Sequence, residues 1–265
     1  ELIQILRATV NGDQRELRKS WWDQIREWQQ ANPLAYQQEA DGPIKPQHVI
    51  SRLYDLTKDR DPIVSTDVGQ HQMWAAQYFK LAKPNRWLTS GGLGTMGFGF
   101  PAAMGAQAAF PGRLVLCIAG DGSIQMNMQE MATAVVSKLP VKIIILNNRF
   151  HGMVRQWQDL FYEGRYASSY LETTPDFVKL AEAYGAVGLR ASKPSEIDDV
   201  LKEAIAVNKP VIVDVPTYPY ENVYPMIPAG GCNHEMILED PPALKSKQSG
   251  TGQVAPKDSD TILTA

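Results

Sequence analysis

Two short polar turns carry the clearest chemistry in this sequence. Gly120-Asp121-Gly122-Ser123 follows the apolar run 114–119, and Asn147-Asn148 follows the apolar run 141–146. An aspartate at a strand's carboxyl end projects a hard oxygen, and flanking glycines let a ligand approach the backbone. The helix expected to follow offers free N–H groups to a phosphate. Asp121 and Asn148 lie 27 residues apart (148 − 121), the length of one helix plus one strand. A right-handed crossover then sets their strands side by side. One carboxylate, one amide oxygen and a backbone carbonyl form a half-shell of hard oxygens. Such a set suits Mg²⁺ when diphosphate and water complete its octahedron. Either turn alone is commonplace, but the pair at this spacing is a specific signal.

Two further loops have the composition of a ligand cradle. Asp67-Val68-Gly69-Gln70-His71 ends a strand and opens a helix, so its N–H groups and His71 can meet diphosphate oxygens. A lone histidine in such a turn is more often a cap or a packing residue. Gly91-Gly92-Leu93-Gly94-Thr95-Met96-Gly97-Phe98-Gly99 contains the dinucleotide pattern Gly92-x-Gly94-x-x-Gly97. That match is weak: the loop is denser in glycine than the fingerprint requires. The only acidic residue at a suitable distance is Asp121, which the metal reading already uses. By periodicity alone Met96, Met153 and Trp157 are core residues.

The elements that must position these turns read as alternating strands and helices. Strands are expected at 62–68, 86–89, 114–119, 141–146, 187–190 and 210–215. Helices are expected at 47–57, 70–80, 100–109, 123–137, 150–162, 175–184 and 194–207, with Thr174-Pro175 as the N-cap and first turn of one and Gly185 closing it. Continuously apolar strands such as Lys142-Ile143-Ile144-Ile145-Leu146 suit a parallel sheet covered on both faces. The fold class is therefore α/β, doubly wound, with a mainly parallel sheet. Ligands in such sheets bind beyond the carboxyl ends of the strands.

Four regions are expected: a helical segment and linker at 1–42, the α/β domain at 43–217, a lid-like loop at 218–241, and a disordered tail at 242–265. Leu17, Trp21, Trp22, Ile25 and Trp28 recur at helical spacing between Asn11-Gly12 and Asn32-Pro33. That helix either packs on the main domain or ends an upstream one. The segment after Thr217 is too apolar for a disordered tail, whereas Lys, Ser, Gly, Gln and Pro dominate beyond Pro242.

Composition narrows the partners. A net charge of -3 gives no reason to expect nucleic acid. Apolar runs fall far short of the roughly 20 residues that span a bilayer, so no membrane is expected. Two cysteines make no disulfide framework; Cys117 sits in an apolar run and reads as a small buried hydrophobe. The sequence opens on Glu1 without a signal-like segment and reads as a piece of a longer chain.

The Gly120-Asp121-Gly122 to Asn147-Asn148 pairing resembles the cofactor motif of thiamine diphosphate enzymes. Gly120-Asp121-Gly122-Ser123-Ile124-Gln125-Met126-Asn127, Gly152-Met153-Val154-Arg155-Gln156-Trp157-Gln158 and Tyr224-Pro225-Met226-Ile227-Pro228-Ala229-Gly230-Gly231 are similar to the catalytic subunits of the acetohydroxyacid (acetolactate) synthase family. The resemblance covers nearly the whole chain up to the polar tail, as the C-terminal portion of a longer protein. It implies that Asp121, the Asn148 side chain and the Phe150 carbonyl bind Mg²⁺. It further implies that Val68, Gly69, Gln70, His71, Gly94, Met96, Gly120, Gly122, Ser123, Gly152 and Met153 contact thiamine diphosphate. Met96 would prop the cofactor into its V shape. Trp157, Met153 and Ala229 would border the substrate and inhibitor channel, with Trp157 favouring a larger 2-ketoacid acceptor.

The family's reaction joins pyruvate to pyruvate or 2-ketobutyrate with loss of CO₂. Its activating glutamate comes from an N-terminal domain that has no match here. No catalytic residue is therefore expected in this chain, and little activity from it alone. The resemblance also implies FAD in the full-length enzyme, a homodimer or homotetramer, a regulatory small subunit, and a bacterial cytoplasmic or plastid location. Another thiamine diphosphate-dependent 2-ketoacid decarboxylase or oxidase, or a non-catalytic nucleotide-binding module, is the alternative.

Overall fold

The computed structural model describes residues 1–9, 16–30, 34–242 and 244. They fall into two compact units, 1–35 and 36–265. In the first, α1 (Leu2–Thr9) and α2 (Lys19–Gln30) are amphipathic and bury none of their residues. Trp21 and Trp28 meet edge to face at 5.6 Å, as their spacing on one helical face predicts. The punctuating Asn11-Gly12 and Asn32-Pro33 lie outside the described residues, as does nearly all of the segment expected to be a disordered tail. The border between units falls at 35/36 rather than 42/43. Tyr36 packs edge-on against Tyr78 at 5.7 Å, and the Gln38 amide spans the following turn by donating to the Pro43 carbonyl and accepting from the Lys45 N–H.

The second unit is built on six strands: β1 (Ile63–Thr66), β2 (Trp87–Thr89), β3 (Val115–Gly120), β4 (Lys142–Asn147), β5 (Val187–Arg190) and β6 (Val211–Pro216). All pair in parallel, in the order β2-β1-β3-β4-β6-β5. Strand side chains alternate between two cores. Val64, Leu116, Ile118, Ile144, Val211 and Val213 meet α3 (Pro46–Thr57), α4 (Gln70–Tyr78) and α10 (Ile197–Ala206) on one face. Ile63, Val115, Cys117, Ile143, Ile145 and Ile212 meet α5 (Gly99–Ala109), α7 (Met131–Val136) and α9 (Phe177–Ala183) on the other. Burial on both faces explains why the strands read as continuous apolar runs. The fold is doubly wound α/β, with every strand parallel.

Two expected helices differ. The segment 123–137 is broken into α6 (Asp121–Ile124), a 3₁₀ turn (Met128–Glu130) and α7. Asn127 is diverted at the break: its amide donates to the Gly97 carbonyl at 2.7 Å, a side-chain-to-backbone bond that competes with helix. The N-cap of α9 is Asp176 rather than Thr174, because its carboxylate accepts from the Val178 and Lys179 N–H groups. Gly185 follows at a φ of 84° and closes that helix as expected. α8 (Gly152–Phe161) starts two residues inside the expected range.

The order reverses between β1 and β3: the chain moves outward to β2, then returns across β1. Parallel sheets bind ligands at such a switch point, beyond the strands' carboxyl ends.

Candidate functional site

A cavity of about 510 Å³ lies at that switch point. Its wall comes from the turn after β1 (Val68, Gly69, Gln70, His71), the glycine loop (Gly94, Met96), the turn after β3 (Gly120, Asp121, Gly122, Ser123) and the start of the β4–α8 segment (Asn148, Phe150, Gly152, Met153). Every residue expected from the sequence to contact the cofactor or its metal is in that wall. Five lining residues were not expected: Trp74, Met126, Leu146, His151 and Val154. Each sits within four residues of an expected one and is apolar or aromatic, so its type alone suggests core packing.

β3 and β4 are neighbours, with Gly120 opposite Leu146, so Asp121 and Asn148 emerge side by side as the spacing required. Asp121 is 1% exposed, and its Oδ2 has no hydrogen-bond partner among the described residues. Burial pushes its carboxyl up to about 7, although the N–H groups of Arg149 and Gly122 pull it back. A buried, half-satisfied carboxylate is costly unless a cation or donor meets it. Asn148 is also buried. Its Oδ1 accepts from the Phe150 N–H at 3.0 Å, and its Nδ2 donates to Gln70 Oε1 at 3.3 Å.

Among the described residues no group of three His, Cys, Asp or Glu side chains could hold a metal. The donor set here is one carboxylate, one amide oxygen and a carbonyl. It fits a hard cation that draws its remaining ligands from diphosphate and water, and it does not fit a zinc-type site.

His71 is buried, and its Nε2 lacks a partner among the described residues. Burial pushes the imidazole down to about 4 against the pull of Asp67, so the ring is neutral at pH 7. It packs where a Cβ on Gly120 would come within 2.8 Å of its Nδ1. The glycine of the turn thus makes room for the histidine.

The glycine loop has a different job from the one its dinucleotide pattern suggests. The buried Asp67 carboxylate accepts from the Gly97 N–H and the Gly99 N–H, both at 2.9 Å. Amides that a pyrophosphate would need are occupied by a protein carboxylate.

Helix α8 leads out of the cavity. Met153 lines it, whereas Trp157, one turn later on the same face, is 37% exposed, pairs with Phe161 at 5.1 Å and does not line it. Ala229 is exposed and also outside the wall, as is the rest of 218–241. That loop is fastened to α8. The buried Arg155 guanidinium pairs with Asp159 at 2.5 Å and donates to the Glu221 carbonyl and to Asn222 Oδ1, both at 2.8 Å. Gln156 bonds both the N–H and the C=O of Val223 at 2.9 Å.

A family model described as the thiamine pyrophosphate enzyme, C-terminal TPP binding domain, matches residues 67–215. The chain is 52% identical over 223 residues to the acetolactate synthase isozyme 3 large subunit of Escherichia coli (strain K12), covering 83% of this chain and 38% of that protein. It is 50% identical over 224 residues to the acetolactate synthase large subunit of Haemophilus influenzae, covering 84% and 39%. Against the mitochondrial acetolactate synthase catalytic subunit of Saccharomyces cerevisiae it is 48% identical over 227 residues, covering 84% and 33%. The chain therefore spans between a third and two-fifths of these relatives' length. No helix among the described residues is long and apolar enough to cross a membrane.

Proposed function

The chain belongs to the thiamine pyrophosphate enzymes, as their C-terminal cofactor-binding domain, and from that premise we propose that it holds Mg²⁺ and thiamine diphosphate for an acetolactate synthase. The convergence of the expected residues on one switch-point cavity carries this reading. Asp121, Asn148 Oδ1 and the Phe150 carbonyl hold the cation. Gln70 and His71 meet diphosphate oxygens, the neutral imidazole adding no charge of its own. Gly94 and Met96 face the far end of the cofactor, and Met153 closes the wall along α8. When bound, thiamine diphosphate supplies the carbon nucleophile and electron sink for 2-ketoacid decarboxylation. This chain's residues bind and orient it and exclude water.

In the whole protein the reaction joins pyruvate to pyruvate or 2-ketobutyrate with loss of CO₂. Trp157 and Ala229, outside the cofactor cavity, border the acceptor's approach together with Met153. An activating glutamate, FAD, oligomeric partners and a regulatory small subunit come from beyond this chain, so on its own it binds cofactor weakly and turns over little.

A thermal-shift comparison tests the binding claim. Thiamine diphosphate at millimolar concentration should raise the melting temperature only with Mg²⁺ present. Stabilisation by NAD without metal overturns the reading. Robust acetolactate formation by the isolated chain would overturn the requirement for an outside glutamate.

A further inference from the structure

We propose that Gln156 is a positioning residue that, acting through Gln70, turns the Asn148 amide so that its oxygen rather than its nitrogen meets the cation. The inference rests on the reading that Asn148 is a metal ligand. An asparagine presents an oxygen and an NH₂ of nearly the same shape, and only the oxygen can ligate. Something must choose between them.

The choice traces back to backbone. Val223 offers an N–H and a C=O whose identities cannot change. Gln156 Oε1 accepts from that N–H and Gln156 Nε2 donates to that C=O, both at 2.9 Å, which fixes which end of the Gln156 amide is which. Gln156 Oε1 then accepts from Gln70 Nε2 at 2.9 Å. The second Gln70 N–H goes to the Glu221 carbonyl at 3.2 Å. Both partners of Gln70 Nε2 are acceptors, so that amide cannot reverse. Its Oε1 is left facing Asn148, whose Nδ2 donates to it at 3.3 Å.

The Asn148 oxygen is thereby turned the other way, where the Phe150 N–H also holds it at 3.0 Å. A reversed Asn148 would set oxygen against oxygen at Gln70 and NH₂ against the Phe150 N–H. Buried polar networks of this kind specify one arrangement because each wrong pairing is unscreened.

Gly152 is part of the device. A Cβ there would lie 2.0 Å from Gln70 Oε1 and 2.8 Å from Asn148 Nδ2. The place where the two amides meet is open only to glycine. The C-terminal loop thus reaches the metal ligand through hydrogen-bond polarity, although none of it lines the cavity.

The test is a Mg²⁺ titration of the full chain at a fixed, saturating thiamine diphosphate concentration, read by calorimetry and melting temperature. Gln156→Met removes the relay and should weaken Mg²⁺ about 10-fold or more, the usual scale for partners that orient a ligand. Gln156→Glu still accepts from Gln70 Nε2 and the Val223 N–H, and should retain most of the affinity. In an Asn148→Asp background both ligand atoms are oxygen and orientation is irrelevant, so Gln156→Met should cause no loss there. Equal losses in both backgrounds would reduce Gln156 to a packing residue, and no loss with Asn148 intact would remove the relay. If Gln156→Met does not fold, Gly152→Ala interrupts the relay at Gln70 and must give the same background-dependent pattern. A wild-type chain with no Mg²⁺-dependent response would instead overturn the cofactor site itself.

Discussion

The two ends of one parallel sheet handle charge in opposite ways. Where the strands start, ionic groups are paired off. The Asp61 carboxylate takes Arg86 at 3.0 Å, Arg113 at 2.6 Å and Lys83 at 3.3 Å. Lys142, buried at the start of β4, donates to the carbonyls of Val207 and Lys209 just beyond α10. Where the strands finish, Asp121 Oδ2, His71 Nε2, Asn147 Oδ1 and Thr217 Oγ1 are all buried without partners among the described residues. Parallel strands lay every carboxyl end on the same edge, so polar capacity withheld there is collected into one place. One end uses its polar groups to hold the fold, and the other keeps some for a ligand.

The network beside the site is the exception at the carboxyl end, and the largest expected effect lies there. Arg155 and Asp159 are 0% and 1% exposed, and Asp159 also accepts from the Tyr166 hydroxyl. Arg155→Met leaves a buried carboxylate facing apolar surface and removes two donors from the 221–222 backbone and side chain. Stability should fall by about 3–5 kcal/mol in urea unfolding. Adding Asp159→Leu should recover much of that loss, since replacing both partners removes the uncompensated charge. A single variant as stable as wild type would mean that the loop is fastened some other way.

A smaller change, in binding rather than folding, is expected at Asp121. Asp121→Asn removes a carboxyl that burial already drives toward its neutral form. The unliganded chain should melt at the same temperature or higher. Mg²⁺-dependent binding of thiamine diphosphate should weaken by roughly 2–3 kcal/mol, or 30- to 150-fold, the scale of losing a charged partner from a buried site. A variant that lost stability without ligand would place Asp121 among the fold-holding charges and break the contrast between the two ends.

Much of this was legible in the sequence, for definable reasons. Strand order around the site followed from the 27 residues between Asp121 and Asn148, because a crossover of that length leaves no room for an intervening strand. The cavity wall was legible because its turns combine glycine with polar residues directly after apolar runs. The helix break at Asn127 was not, since its cause is a bond to Gly97, 30 residues away. Asp67 as the holder of the glycine loop was missed for the same reason: that loop matches a phosphate-binding pattern until the residue occupying its amides is known. The amide relay needs α4, α8 and the 221–223 segment together in space, and no local window contains all three.

The smallest expected effect is at the strand-start end, and it carries a pH signature. Hydrogen bonds from Arg86 and Arg113 hold the Asp61 carboxyl well below its ordinary range. The sign follows from linkage: a group with a depressed folded pKa stabilises the fold above its unfolded value, near 3.8, and loses that contribution as pH falls through the folded one. Asp61→Asn should therefore lower the melting temperature at pH 7, modestly because the cluster is solvent-exposed and screened by salt. The gap to wild type should narrow as pH falls below about 4, where the unfolded carboxyl takes up its proton. Mg²⁺ affinity should stay unchanged throughout, because the carboxylate sits at the opposite edge of the sheet from the cavity. A gap constant from pH 7 down to pH 2 would trace the effect to the Asp61 backbone, whose φ is 49°, a left-handed conformation that Asn also tolerates. Weakened Mg²⁺ binding in the same variant would show that the two ends are coupled through the strands, and the division of labour between them would fail.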